Sequence, residues 1–190
     1  MPRIGVASLV VAKVTQDTVD GVTYDTPVKF TKKLIRIGYQ PTVNRVNLEA
    51  DDQIVETVTG KGETRVTIDV TDLTPTEKAL LLGSGTVQNG MRISNKDDQA
   101  PYFCVMFKSK KSSGGYRYVK LLKVQFQENN ETYETKRQTP AFQNPTIEGV
   151  AIPRIYDGND IVDADDDEST WDASLATNWF TSGDIPTVTP

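Results

Sequence analysis

Hydrophobic and polar positions alternate most clearly between residues 100 and 152. Residues 102–106 are apolar at every position, which is typical of a strand covered on both faces. A polar Gly-Gly turn follows, and the chain then alternates, which predicts a second strand and a β-hairpin. The TPAFQNPTIEG segment predicts a third strand. The apolar face predicted for the second strand consists of Tyr116, Tyr118, Leu122, Val124 and Phe126.

Alternation also recurs in the earlier part of the chain and predicts further strands. Turns rich in glycine separate these runs, since glycine tolerates a positive φ. The sequence therefore predicts a mainly β fold. The predicted apolar faces are Ile35, Ile37 and Tyr39; Val46, Leu48 and Ala50; and Val66, Ile68 and Val70.

One segment, about residues 74–82, departs from the strand period and predicts a short helix. Thr74 is a capping hydroxyl, Pro75 suits the first helical position, and Glu77 completes a capping box. Gly83 is typical of a helix stop. We expect about two helical turns that cover an end or a face of the sheet.

Charge divides the chain at residue 154. Residues 1–154 carry 21 basic and 17 acidic groups, whereas residues 155–190 carry nine acidic groups and no basic one. We therefore expect a β domain over 1–154 and an acidic, aromatic C-terminal arm over 155–190. The acidic terminus is either solvated or a site of attraction between copies. A disordered tail rarely keeps two tryptophans and a phenylalanine close together, so we expect the arm to be anchored. The candidate anchors are Trp171, Leu175, Trp179 and Phe180.

The composition argues against catalysis. The chain has no histidine and a single cysteine, Cys104, so histidine-based catalysis and disulfides are excluded. Only a carboxylate pair or a lysine-based site remains, and we expect no enzyme activity and no cofactor. Asp163, Asp165 and Asp167 have the spacing of a calcium loop, but Glu168 and Ser174 stand where glycine and glutamate are required. We therefore expect no metal site.

Nucleic-acid binding and export are also disfavoured. Lysines and tyrosines are interleaved on the predicted hairpin, yet the tyrosines continue an apolar strand face. We interpret them as core residues beside lysines on a solvated turn. The start of the chain lacks a small-residue cleavage site, which favours a strand over a signal peptide, and no run of 18 apolar residues predicts a membrane span. The lysines interleaved with tyrosines on the predicted hairpin are Lys108, Lys110, Lys111, Lys120 and Lys123.

The order of these pieces, from aromatic hairpin to YETK to TPAFQNPTIEG, resembles the major tail protein (tail tube protein) family of long-tailed, siphovirus-type bacteriophages. The resemblance implies a β-sandwich or partial barrel with one short helix and an extended C-terminal arm. It also implies a structural virion protein, assembled in the host cytoplasm, that forms hexameric rings. These rings stack into a tube through which DNA passes during ejection.

The same resemblance implies partners and site residues. The partners are further copies of the chain, the tape measure protein and the tail terminator, with no membrane and no specific binding of DNA. A long acidic loop would line the channel or contact the next ring, where negative charge would let DNA slide. The candidates for this loop are Glu49, Asp51, Asp52 and Glu56. The candidate arm anchors for subunit contact are Trp171, Leu175, Trp179 and Phe180.

Three alternatives stay open at this point. The first is a carbohydrate-binding β-sandwich that uses Trp171 and Trp179 as stacking platforms. The second is the tube protein of a related secretion system or of a tail-like bacteriocin. The third is an enzyme with a facing pair of carboxylates about 5 to 10 Å apart.

Overall fold

The computed structural model describes residues 1–31, 33–50, 53–85, 87–128, 131, 133–135 and 144–186, with only the backbone described at 49 and 50. The fold is mainly β, as predicted. The elements are β1 (Arg3–Thr18), β2 (Gly21–Tyr24), β3 (Val28–Phe30), β4 (Leu34–Ala50), β5 (Gln53–Val70), α1 (Pro75–Leu82), β6 (Tyr102–Lys111), β7 (Tyr116–Gln127), β8 (Thr146–Ala151), β9 (Ile161–Asp165) and α2 (Ser174–Asn178).

These strands form one antiparallel sheet in the order β2-β1-β6-β7-β8-β5-β4. Strand β3 also pairs with β1, and β9 also pairs with β7. Strand β1 contacts β4 from the opposite end of the order, so the sheet curls back on itself. This arrangement corresponds to the partial barrel of the predicted fold.

Two apolar clusters lie on opposite faces of β1, β6 and β7. The main core fills the inside of the curled sheet and is closed by α1. The second cluster lies on the outer face. The main core contains Leu9, Val11, Phe30, Val66, Ile68, Val70, Leu73, Leu81, Phe103, Val105, Phe107, Val119, Leu121, Val124, Phe126, Ile147 and Ala151. The second cluster contains Val10, Ala12, Cys104, Met106 and Leu122.

The predicted hairpin is confirmed as β6–β7, but the predicted face of β7 is wrong. Phe103 pairs with Val124, whereas Val105 pairs with Leu121, so β7 carries one extra residue between these positions. Such a β-bulge reverses the faces beyond it. Val124 therefore lies in the main core, while Leu122 belongs to the second cluster.

The remaining sequence predictions have mixed outcomes. The predicted third strand is β8, and Val66, Ile68 and Val70 are buried as expected. On β4, a register shift after Leu34 leaves Ile35 exposed, although Ile37 packs against the main core. The faces predicted to be buried are therefore only partly confirmed.

Helix α1 begins and ends as the sequence predicts. The Thr74 hydroxyl accepts a hydrogen bond from the Glu77 N–H at 3.3 Å, and the Glu77 carboxylate accepts one from the Thr74 N–H at 2.8 Å. Gly83 has φ +70°, and a Cβ there would lie 2.0 Å from the Gln99 carbonyl oxygen. Only glycine fits this helix end, since both the conformation and the space exclude a side chain.

Candidate assembly surfaces

The distal half of the β4–β5 hairpin exposes several large apolar side chains. Val46 pairs with Val58, and Leu48 pairs with Glu56, so these side chains share one face. A register shift after Leu48 pairs Ile54 with Glu49, so Ile54 falls on the opposite face. We call the surface that carries Val46, Leu48 and Val58 the hairpin face. Its apolar members are exposed to 69% at Val46, 59% at Leu48 and 61% at Val58.

The opposite side of the distal hairpin is mostly polar. Asn47 pairs with Thr57 there, and the Thr57 hydroxyl donates to the Asn47 side-chain oxygen at 3.1 Å. Arg45 pairs with Thr59 on the same side, although Ile54 also lies there. The polar side resembles an ordinary solvated strand surface. We therefore expect the hairpin face, whose apolar side chains are exposed, to be the side that contacts a partner.

Two of the four acidic candidates, Glu49 and Glu56, lie at the distal end of this hairpin. Glu49 is in β4, where it pairs with Ile54, and Glu56 is an exposed residue of β5. Asp51 and Asp52 lie outside the described residues. The backbones of Glu49 and Glu56 are thus close, on neighbouring strands.

Three of the four aromatic and apolar arm candidates contact the chain's own sheet. The Trp171 ring stacks on Tyr118 with 5.3 Å between centroids, and Trp179, exposed to only 1%, lies 5.6 Å from the same ring. Phe180 packs against the second cluster. Leu175 is half-buried in α2, where its carbonyl accepts the Trp179 N–H.

Buried cations hold the arm, and the sequence analysis missed them. The Lys120 ammonium is fully buried and donates to the carbonyl oxygens of Ser182 at 2.9 Å and Asp184 at 2.6 Å. It lies 5.3 Å from the Trp179 ring centroid. Burial lowers the pKa of Lys120 to about 8. The expectation of solvated lysines is wrong for Lys120, which the arm covers, and also for Lys111 and Lys123, which are buried in ion pairs.

Arg154 is the second buried cation at the arm, with its side chain 1% exposed. It donates to the Tyr24 hydroxyl at 3.0 Å and to Asp184 at 2.9 Å, and it pairs with Asp157. Burial acts to lower the pKa of Arg154, but the bonds from Asp157, Tyr24 and Asp184 outweigh it and raise the pKa. The Arg154 guanidinium therefore contacts both Asp157, near the start of the arm, and Asp184, near its end.

Asp17 of β1 fixes the junction between the β domain and the arm. Its carboxylate accepts from the Lys123 ammonium at 2.6 Å and from the N–H groups of Ile155 and Tyr156 at 3.0 and 3.1 Å. Burial alone would raise the pKa of Asp17, yet these hydrogen bonds lower it below its ordinary value. No pattern in the sequence predicts that Asp17 contacts Ile155, which lies 138 positions further along the chain.

The acidic run wraps the turn between β6 and β7. Lys111, exposed to only 2%, pairs with Asp165 and lies 2.9 Å from Asp167. Asp166 accepts the Tyr116 N–H at 2.6 Å. An ammonium group therefore stands among Asp165, Asp166 and Asp167, the carboxylates that could otherwise hold a metal ion. The acidic run therefore holds the arm against the turn between β6 and β7 of the same chain.

A cavity of about 430 Å³ lies between α1 and the loop that follows it. Its lining includes two carboxylates, Asp98 and Glu128. Asp98 accepts the Asn95 N–H at 2.9 Å, and Glu128 accepts from Arg92 at 3.2 Å. Both acids have structural partners, so nothing in this cavity points to a catalytic pair.

Comparison with known proteins gave no match, either to a family model or to a curated protein. Within the described part of the chain, no helix has the length and apolar character needed to cross a bilayer.

Proposed function

We propose that this protein is a structural subunit that assembles with copies of itself into the tail tube of a long-tailed bacteriophage. The hairpin face is the observation that carries the proposal. Three apolar side chains, Val46, Leu48 and Val58, lie side by side there, each more than half exposed. Contiguous exposed apolar surface of this kind marks a protein interaction site.

The position of β4 supports the same function. This strand of 17 residues is the last in the sheet order, and among the described strands it pairs only with β5. Long open edges favour pairing with another chain. A head-to-tail contact between an edge and a different surface closes a ring when it is repeated by rotation.

The sequence resemblance supplies the biological setting. The aromatic hairpin, the short capped helix and the closing strand that carry it are β6–β7, α1 and β8. Under this proposal, rings stack around a tape measure protein and conduct DNA passively. The acidic residues at the distal hairpin would then meet either the channel or the next ring.

Burial of the second tryptophan counts against the carbohydrate-binding alternative. Trp179 is 1% exposed and Trp171 is stacked on Tyr118. A sugar platform requires an open aromatic face, whereas these rings fasten the arm. Glycan binding is therefore less well supported than assembly.

The experiment is a comparison of assembly in single variants by light scattering after gel filtration. Val46→Lys and Val58→Lys each place a charge on the hairpin face, and we expect loss of rings or filaments. Burying an apolar side chain is worth about 1.5–3 kcal/mol, so each change should weaken association by about tenfold or more. Val19→Lys is the matched control, because Val19 is 75% exposed at a turn outside the hairpin. Equal assembly by all three variants would contradict the proposal.

A further inference from the structure

The end of the arm, residues 171–186, lies on the sheet without joining it. We call these residues the strap. Among the described residues, the strap's backbone-to-backbone hydrogen bonds are local, such as Trp171 N–H to Glu168 and Trp179 N–H to Leu175. Strand β9 differs, since it pairs with β7 in regular antiparallel register. The strap can therefore leave without breaking a sheet ladder.

In the part of the chain that the structure describes, every hydrogen bond between the strap and the sheet involves at least one side chain. Trp179 inserts beside Tyr118, and Lys120 binds two strap carbonyls. Asp184 accepts from Arg154 at 2.9 Å although its own side chain is 51% exposed. Helix α2 contributes little, because it has five residues, no side-chain cap and no buried residue.

The strap covers the second cluster. Phe180 and Ile185 pack on this cluster, whose members include Cys104 at 0% exposure. The main core lies on the opposite face of the same strands and shares no buried residue with it. Each cluster therefore has its own set of contacts.

We propose that the strap is a lid that lifts from the sheet as a separate unit while the main core stays folded. Regions held by few buried apolar contacts open with a smaller free energy than the global core. Lifting removes the contacts of Phe180 and Ile185 with the second cluster and gives reagents access to Cys104. The proposal concerns the single subunit and does not depend on tube assembly.

The chain supplies two reporters for this motion. Both of its tryptophans, Trp171 and Trp179, are in the strap, and its single cysteine lies beneath it. Urea unfolding of the full chain would be followed by tryptophan fluorescence and by far-ultraviolet circular dichroism of the sheet. Labelling of Cys104 with a thiol reagent would be timed in parallel. We expect the fluorescence change at lower urea than the loss of sheet signal.

Matched variants separate lid opening from global unfolding. Asp184→Asn removes the charge that meets Arg154, and we expect Cys104 labelling to accelerate by about fivefold to tenfold with an unchanged sheet transition. Asp163→Asn makes the same change on an exposed residue of β9 and should leave both readouts as in the wild type. Val66→Ala in the main core should lower the sheet transition alone.

One pattern of results would overturn the proposal. If fluorescence and sheet signals change together in every protein, the chain is one cooperative unit. Labelling of Cys104 that follows only the global transition would lead to the same conclusion.

Discussion

At the scale of single residues, buried charge organises the arm. Lys111, Lys120 and Arg154 are each at most 3% exposed, and all three bind groups of the C-terminal 36 residues. A buried charge is costly unless it is paired and hydrogen-bonded. The acidic arm therefore neutralises the β domain in cis, and the expectation of a freely solvated acidic terminus does not hold for its first half.

Acid should weaken the junction through Asp17. The pKa of Asp17 is lowered in the folded chain, so its stabilising contribution is present at neutral pH and is lost as pH falls through that pKa. We expect Asp17→Asn to lower the free energy of unfolding at pH 7 by about 2 kcal/mol or more, because Lys123 loses its buried partner. Urea unfolding at several pH values measures this. The difference from wild type should shrink below about pH 4, and a constant difference would contradict the assignment.

Gly149 should tolerate no side chain. A Cβ at this residue of β8 would lie 2.7 Å from the Gln125 carbonyl oxygen, which belongs to the neighbouring backbone. We expect Gly149→Ala to cost about 1–3 kcal/mol in urea unfolding. Gly38→Ala is the control, since Gly38 is also in a strand but has nothing within 4 Å of the added carbon. It should be neutral or slightly stabilising, and equal effects of the two would refute the steric account.

At the scale of elements, local signals predicted structure where one face is buried. Alternation at Val66, Ile68 and Val70 matches a strand whose inner face is in the main core. Alternation predicted the wrong face for part of β7, because the bulge before Val124 arises from the pairing of β7 with β6. Register is a property of two strands, so one strand's sequence cannot reveal it.

Helix α1 offers a test of a purely local signal. Thr74→Ala removes the hydroxyl that accepts the Glu77 N–H, and we expect a loss of about 1 kcal/mol in chemical unfolding. Thr76→Ala is the matched control, because Thr76 is exposed within the helix and alanine has the higher helix propensity. A cost at Thr76 as large as that at Thr74 would contradict the capping role.

At the scale of the whole molecule, the sheet buries one apolar cluster inside and a second beneath the arm. The mainly β fold and the helix could be predicted because their signals are local. The contacts of Asp17, Lys120 and Arg154 could not, since each joins segments distant in sequence. The tryptophans did indicate that the arm is anchored, but the sequence held no information on which face receives it.

The hairpin face, by contrast, stays exposed among the described residues. It combines exposed Val46, Leu48 and Val58, while the strap and the main core bury their own apolar groups. Self-association is the central claim of this account, because a second copy would supply the missing cover.

Negative-stain electron microscopy of the purified protein over a range of concentrations tests that claim most directly. Rings or tubes with an open channel are the predicted result, and they should become more frequent as concentration rises. Single particles of monomer size at every concentration, with the hairpin face still exposed, would contradict it.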